Sequence, residues 1–381
     1  MSIYNSKLFL DPQLTYPSEL AEHDFQNYIT HCHTLIQNSR LDLTNNSQAN
    51  IVVEANSPFE LKPAATARTG IILLHGLYDS PFIMKDIATH LQSQNCMSRA
   101  ILLPGHGTTP GALLNTRFQE WIDAAAYGIR GLAKEVDKLW ICGFSTGANV
   151  AIYHALQNKI PQLAGIILIA PALKISALSK FTNLPPKLSR QLDWFHKGCE
   201  NDYTKYSSFT FNSIYQIHLL IEEIAKMKQK LNCPLLMILS KDDQTVESSG
   251  AMDFFQRYAT ADSQMILYSN NKNDFSDPRI SWRTATYPEW NIENISHICL
   301  PVKADNFHYG LAGDYPDASH AETNNTTGKK AIYGEPTSLQ RNILNKLHNW
   351  KLYPYRYERL TFNPDFDYLK TAVSDFIHSR L

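Results

Sequence analysis

The stretch Leu139-Trp140-Ile141-Cys142-Gly143-Phe144-Ser145-Thr146-Gly147-Ala148-Asn149-Val150 decides the architecture. A short apolar run meets a Gly-x-Ser-x-Gly turn and passes directly into the small-residue run Ala148-Asn149-Val150-Ala151-Ile152-Tyr153-His154-Ala155-Leu156. That pattern predicts a strand, a sharp turn and a helix. Glycines two residues before and after the serine fit a strained turn in which two backbones approach too closely for a Cβ. Ser145 is then expected to project at the apex of the turn.

Working outward, Thr69-Gly70-Ile71-Ile72-Leu73-Leu74-His75-Gly76-Leu77 is a continuous apolar run ending in His-Gly. A run without alternation suits a parallel strand covered on both faces. Helical periodicity follows through Phe82, Met84, Ile87, Ala88 and Leu91, and a second short strand is expected at Ala100-Ile101-Leu102-Leu103. Thr116 and Gln119 form a candidate capping box for a helix from Phe118 to about Val136. Beyond Ser145, strands are expected at 165–171, 234–240 and 264–268, with helices starting near Ile214 and Ser249 and a closing helix from Phe366 to Ile377. Strand and helix alternate at βαβ spacing. The expected fold is therefore α/β, with a mostly parallel central sheet, helices on both faces, and ligands at the carboxyl ends of the strands.

Length and composition set the outer limits. A chain of 381 residues suits one large α/β core carrying insertions. Its formal net charge of -1 gives no electrostatic footprint for nucleic acid. No apolar run approaches the ~20 residues of a membrane span, and the first residues lack a signal-peptide pattern, so the expected location is the cytoplasm. The six cysteines are scattered singly, as reduced, buried cysteines are. No metal site is expected: His31-Cys32-His33 has no second cluster to complete a tetrahedron. Oligomeric state is not legible.

Residues 1–66 read as an N-terminal extension packing on the core, with Ser18 capping a helix to about Gln37 and Ile51-Val52-Val53-Glu54 opening a strand. The core is assigned to 67–171 and 226–381. Residues 172–225 are longer than a normal crossover and are read as a lid insertion. A second, loop-rich insertion covers about 270–360. It is expected to help wall the site, through Trp282, Trp290 and Tyr309, and includes a loop at Asn324-Asn325-Thr326-Thr327-Gly328.

A serine hydroxyl is a poor nucleophile near neutral pH. It needs a histidine to take its proton, an acid to fix the imidazole, and donors for the oxyanion. On this class of sheet the three come in the order Ser, Asp or Glu, His. Ser145 is followed by Asp242 and Asp243 after the strand at 234–240, and then by His297 and His308.

These residues resemble the α/β-hydrolase superfamily, and within it the carboxylesterase and monoacylglycerol lipase-like serine hydrolases. The resemblance is carried by Leu73-Leu74-His75-Gly76-Leu77 with Ser80-Pro81, by Leu103-Pro104-Gly105-His106-Gly107-Thr108, by Trp121, and by Gly143 to Gly147. It implies a cofactor-independent enzyme that cleaves a small-molecule carboxylic ester, such as a short or medium acyl ester or a monoacylglycerol, through an acyl-enzyme on Ser145. It also implies that Leu77 and Thr146 supply the oxyanion-hole amides. The family's Asp-x-x-Val pattern favours Asp243 over Asp242, and its Ser-His-x-x-Leu segment favours His297 over His308. An extended run is expected to deliver His297 from a strand end. The chain departs from the family in having no histidine directly after the strand ending near Tyr268. Thioesterase or amidase/peptidase activity on the same three residues, and a catalytically silent ligand-binding protein, are the alternatives.

Overall fold

The structure, a computed structural model, describes residues 6–17, 24–43, 46–175, 192–271, 276–315, 330–335, 343, 346–347 and 355–380. The strands are β1 (Phe59–Leu61), β2 (Thr69–Leu74), β3 (Cys96–Ile101), β4 (Lys138–Phe144), β5 (Leu163–Ile169), β6 (Trp194–His196), β7 (Phe209–Thr210), β8 (Leu235–Ser240), β9 (Gln264–Tyr268), β10 (Ile280–Arg283), β11 (Lys330–Gly334) and β12 (Tyr355–Arg359). The helices are α1 (Phe25–Ser39), α2 (Ala49–Asn56), α3 (Lys85–Ser93), α4 (Phe118–Leu132), α5 (Thr146–Leu156), α6 (Phe211–Lys226), α7 (Ser248–Tyr258) and α8 (Phe366–His378).

Among the described residues, eight strands form the main sheet in the order β1-β3-β2-β4-β5-β8-β9-β10. Only β1 runs antiparallel, against β3. The unbroken apolar runs of the sequence are buried along their whole length in β2 and β8. Alternate residues then serve opposite layers. Ile72, Leu74, Ile141, Leu168 and Met237 join one core with α1, α4, α5, α6 and α7, while Ile71, Leu73, Trp140, Ile167 and Ile238 join another with α3 and α8. Each such side chain contributes about 2 kcal/mol by leaving water, so the layering expected from the missing alternation is also what stabilises it.

Several expectations need correction. The N-terminal helix starts at Phe25 with Asp24 as its cap, accepting from the Gln26 N–H; Ser18 lies outside the described residues. Ile51-Val52-Val53-Glu54 is not a strand but lies within α2, whose buried residues Val52, Val53, Ala55 and Asn56 follow helical spacing. The β-branched run misleads because Ile51 faces solvent, and the edge strand comes later, at β1. The Thr116/Gln119 capping box is absent. Thr116 bonds back to the Ala112 carbonyl, and it is Glu120 that receives the Arg117 N–H.

The strand expected at Ala100 starts earlier, at Cys96, because Ser98 and Arg99 are buried in it; Arg99 is neutralised by Glu60 at 2.6 Å and Glu135 at 2.7 Å. An additional strand, β10, pairs parallel with β9 where an irregular passage is expected. Residues 291–300 form no strand. They run in turns after the isolated Tyr287–Ile292 bridge, and the loop is held by Ser240 Oγ on the Ile295 carbonyl and by Ser296 Oγ on that of Leu360. One cysteine, Cys199, is exposed rather than buried. Of the loop at 324–328, all residues lie outside the described set.

Candidate active site

The turn after β4 places Ser145 at φ 55° and ψ -116°, a left-handed conformation that costs a non-glycine residue of order 1–3 kcal/mol. Its neighbours explain how the turn closes. A Cβ on Gly143 would lie 2.3 Å from the Gly147 carbonyl oxygen, and one on Gly147 would lie 2.2 Å from that of Leu74. The glycines permit this packing of α5 onto β2, and the packing holds the strain.

Three side chains from three segments converge on this turn. His297 Nε2 lies 3.0 Å from Ser145 Oγ, and His297 Nδ1 lies 2.6 Å from Asp243 Oδ2. The second carboxylate oxygen of Asp243 accepts the N–H groups of Thr245 and Val246, at 2.8 and 2.9 Å, which fixes the plane of the carboxylate. Burial works against a charge on the His297 ring, but the Asp243 carboxylate, with smaller contributions from Glu335 and Asp79, outweighs it and raises the imidazole above its ordinary value. An acceptor on one nitrogen and a hydroxyl on the other is the arrangement in which a proton can leave the serine while the ring keeps its orientation.

The rival residues sit elsewhere. Asp242 is half-buried, and its Oδ2 has no hydrogen-bond partner among the described residues, whereas it is Asp243 that meets His297; burial pushes the Asp242 carboxyl up. His308 is buried between two carboxylates, with Nε2 3.0 Å from Asp202 Oδ1 and Nδ1 2.5 Å from Asp314 Oδ1. Tyr309 donates to the other oxygen of Asp202 at 2.7 Å. Burial again opposes the charge on His308, and Asp202 and then Asp314 overcome it and raise the pKa. This cluster ties Asp202 to residues 308–314, and none of its members lines the cavity at Ser145.

His308→Ala is accordingly expected to lower stability by about 3 kcal/mol, since it strands a buried carboxylate, while leaving the reaction at Ser145 in the folded fraction. Because the folded pKa is raised, the contribution is complete below the ordinary histidine value of about 6.5 and is lost as pH rises through the folded value. Denaturant melts of both proteins at pH 5.5 and 8.5 check this. A stability difference that grows with pH contradicts it.

Ser145, Thr146, Leu77 and His297 line one cavity of about 420 Å³. Thr146 is the first residue of α5, so its N–H is one of the helix's unpaired donors. The Leu77 loop is bound to residues 206–213 through Tyr78, whose carbonyl accepts from the Tyr206 N–H at 2.8 Å and whose hydroxyl meets Ser213 Oγ at 2.8 Å. The apolar side chains Ile175, Phe195, Phe209, Ile214 and Ile217 form much of the remaining wall. The polar groups are Asp79 with Lys205 at 3.8 Å, Gln244, Thr245 and Arg359. Trp282, Trp290 and Tyr309, expected to wall the site, are not in this lining; among the described residues after 270, His297, Ile298 and Arg359 are.

A family model described as serine aminopeptidase, S33 (Hydrolase_4), matches residues 65–272, more than half of the chain. The chain belongs to this family of α/β-hydrolases. It is a serine hydrolase with the α/β-hydrolase fold. It is similar to a thermostable monoacylglycerol lipase of Bacillus sp. (strain H-257), at 24% identity over 234 residues, covering 59% of this chain and 92% of the relative. It is also similar to a carboxylesterase of Bacillus subtilis (strain 168), at 19% identity over 219 residues, 56% of this chain and 87% of the relative. A soluble variant of monoglyceride lipase from Saccharomyces cerevisiae, solved with a substrate analogue, superposes with a TM-score of 0.47 at 17% identity, covering 59% of this chain and 85% of that one.

The S33 match contains Ser145 and both aspartates and stops before His297. Glu335, which accepts the His297 N–H, and Arg359, which donates to Glu335, are not among the residues expected at the site. No local signal marks them: Glu335 meets the His297 N–H across 38 residues of sequence, and Arg359 meets Glu335 across 24.

Proposed function

We propose that this S33-family protein hydrolyses carboxylic esters with Ser145 as nucleophile, His297 as general base and then acid, and Asp243 as the group that orients the imidazole. One observation carries the reading: the His297 ring lies within hydrogen-bond reach of Ser145 on one side and Asp243 on the other. In the first half-reaction Ser145 Oγ attacks the ester carbonyl as its proton passes to His297 Nε2. The negative charge on the carbonyl oxygen is met by the N–H groups of Leu77 and Thr146, and the same proton then goes to the departing alcohol. In the second, water gives a proton to His297 and attacks the acyl-enzyme, releasing the acid and Ser145.

The alcohol and acyl groups differ in what they need from the protein, and the apolar lining from Ile175 to Ile217 supports an acyl chain of short or medium length lying under the 172–225 insertion. In this reading the insertion is a lid, and residues 1–66 pack on the core through Phe25, Tyr28, Cys32 and Ile36. A series of nitrophenyl esters of graded chain length, with a matched thioester and anilide, tests the proposal. Ester turnover is expected to exceed anilide turnover by orders of magnitude. Ile217→Trp, which fills the cavity, is expected to move the preferred acyl length down with a change of roughly tenfold in kcat/KM for the longest chain accepted, within the range one or two methylenes command. An unaltered chain-length preference in the folded variant would remove the acyl chain from this wall.

A further inference from the structure

The second insertion builds a small parallel pair, β11 with β12, against the loop that carries His297. Tyr333 and the Asn291–Glu293 segment exchange backbone bonds of 2.9 Å, and the Leu360 N–H donates to the Gly334 carbonyl at 2.9 Å. At the end of β11 stands Glu335, buried, with both carboxylate oxygens engaged. Oε2 accepts the His297 backbone N–H at 2.7 Å. Oε1 accepts the Thr245 hydroxyl at 3.0 Å and Arg359 Nη2 at 2.9 Å. The Glu335 N–H in turn donates to Asn294 Oδ1 at 2.6 Å. Thr245 belongs to the turn whose N–H groups hold Asp243, so one carboxylate spans the loop of the acid and the loop of the base.

We infer that Glu335 is a positioning residue for the reaction at Ser145: its carboxylate clamps the Asp243 and His297 loops at one separation and supplies negative charge beside the imidazole. This rests on the roles proposed above for Ser145, His297 and Asp243. A carboxylate suits the position better than a neutral group. It can accept three hydrogen bonds in two directions, and it favours the imidazolium that forms when His297 takes the serine proton. Burial alone would keep Glu335 neutral; the Arg359 guanidinium, followed by His297, holds its pKa below the ordinary value, so it is charged at neutral pH. The groups that bear on His297 are then Asp243 from the turn after β8, Glu335 from β11 and Asp79 from the loop after β2. Arg359 of β12 and Lys205 of the first insertion face two of these acids, and the Cys299 thiol on the histidine loop is kept neutral by burial.

The sign of the effect follows. Removing the Glu335 charge makes protonation of His297 less favourable, so the acid limb of the kcat/KM profile moves to lower pH. Shortening the side chain while keeping its charge moves the loops and leaves the limb in place.

The test compares the wild-type protein with Glu335→Gln and Glu335→Asp, reading kcat, KM, the acid limb and the rate of fluorophosphonate labelling. Glu335→Gln is expected to lower kcat about tenfold with KM within about twofold, and to move the acid limb down by about half a pH unit. Glu335→Asp is expected to lower kcat several-fold with the limb near its wild-type position. A folded Glu335→Gln with wild-type kcat, or with the limb unmoved, overturns the inference. If that variant does not fold, wild-type kcat in Glu335→Asp overturns it, because the shorter side chain cannot hold both loops. Failure of the wild-type protein to label at Ser145 would instead count against the underlying reading of the site.

Discussion

Ser145→Ala is expected to lower ester hydrolysis by about 10⁴- to 10⁶-fold while leaving the protein folded. The magnitude follows from the role. Without the hydroxyl no acyl-enzyme forms, and what remains is the effect of the cavity and its oxyanion donors on direct attack by water. The expectation for folding follows from the turn. Alanine at φ 55° is no more strained than serine, since both carry a Cβ, and the only side-chain bond lost is the one to His297 Nε2. Unfolding midpoints within about 1 °C of each other, together with the loss of turnover on a short-chain ester, are the paired observations required. Substantial turnover in a folded Ser145→Ala protein would move the nucleophile elsewhere.

His297→Ala is expected to abolish fluorophosphonate labelling of Ser145, a loss of at least about 10³-fold in labelling rate, because the serine then has no group to take its proton. Stability is expected to fall as well, since Asp243 is left buried with an unpaired oxygen beside Glu335. In the wild-type protein the same histidine sets the pH dependence. It acts as a base only when neutral, and its pKa is raised above 6.5. Activity is therefore expected to be lost as pH falls through that raised value, placing the acid limb of kcat/KM above the position of an ordinary histidine. A limb well below pH 6 would mean that the carboxylates around His297 do not act on it as described.

The parts of this molecule that were legible in its sequence are those whose signal is local. The elbow announces itself because the glycines at 143 and 147 are there to let two backbones approach, and the buried strands because each supplies side chains to both layers. Asp243 could be chosen over Asp242 only through the resemblance to a known family. The histidine was harder. No histidine directly follows β9, where the resemblance to the family places it; β10 pairs with β9 instead, and His297 arrives on a loop pinned by Ser240, Ser296 and Glu335 rather than from the end of a strand. His308 has an aspartate three residues before it, and it is the family's Ser-His-x-x-Leu segment and the extended run that favour His297 over it. What separates the two is which carboxylates fold against them, and those of His308 come from Asp202 and Asp314, on segments whose approach no local pattern announces. Ile51-Val52-Val53 misled for a related reason: β-branched side chains favour strands only weakly, and packing of α2 on the core overrides the preference.

The central claim is that Ser145, activated by His297 and Asp243, is the group that attacks the substrate. Its most direct test is mass spectrometry of the peptide containing Ser145 after incubation of the wild-type protein with a fluorophosphonate. The account predicts a stoichiometric adduct on Ser145, formed in the wild type and His308→Ala proteins and absent from His297→Ala. An unmodified Ser145, or labelling that survives His297→Ala and disappears in a folded His308→Ala protein, would contradict it.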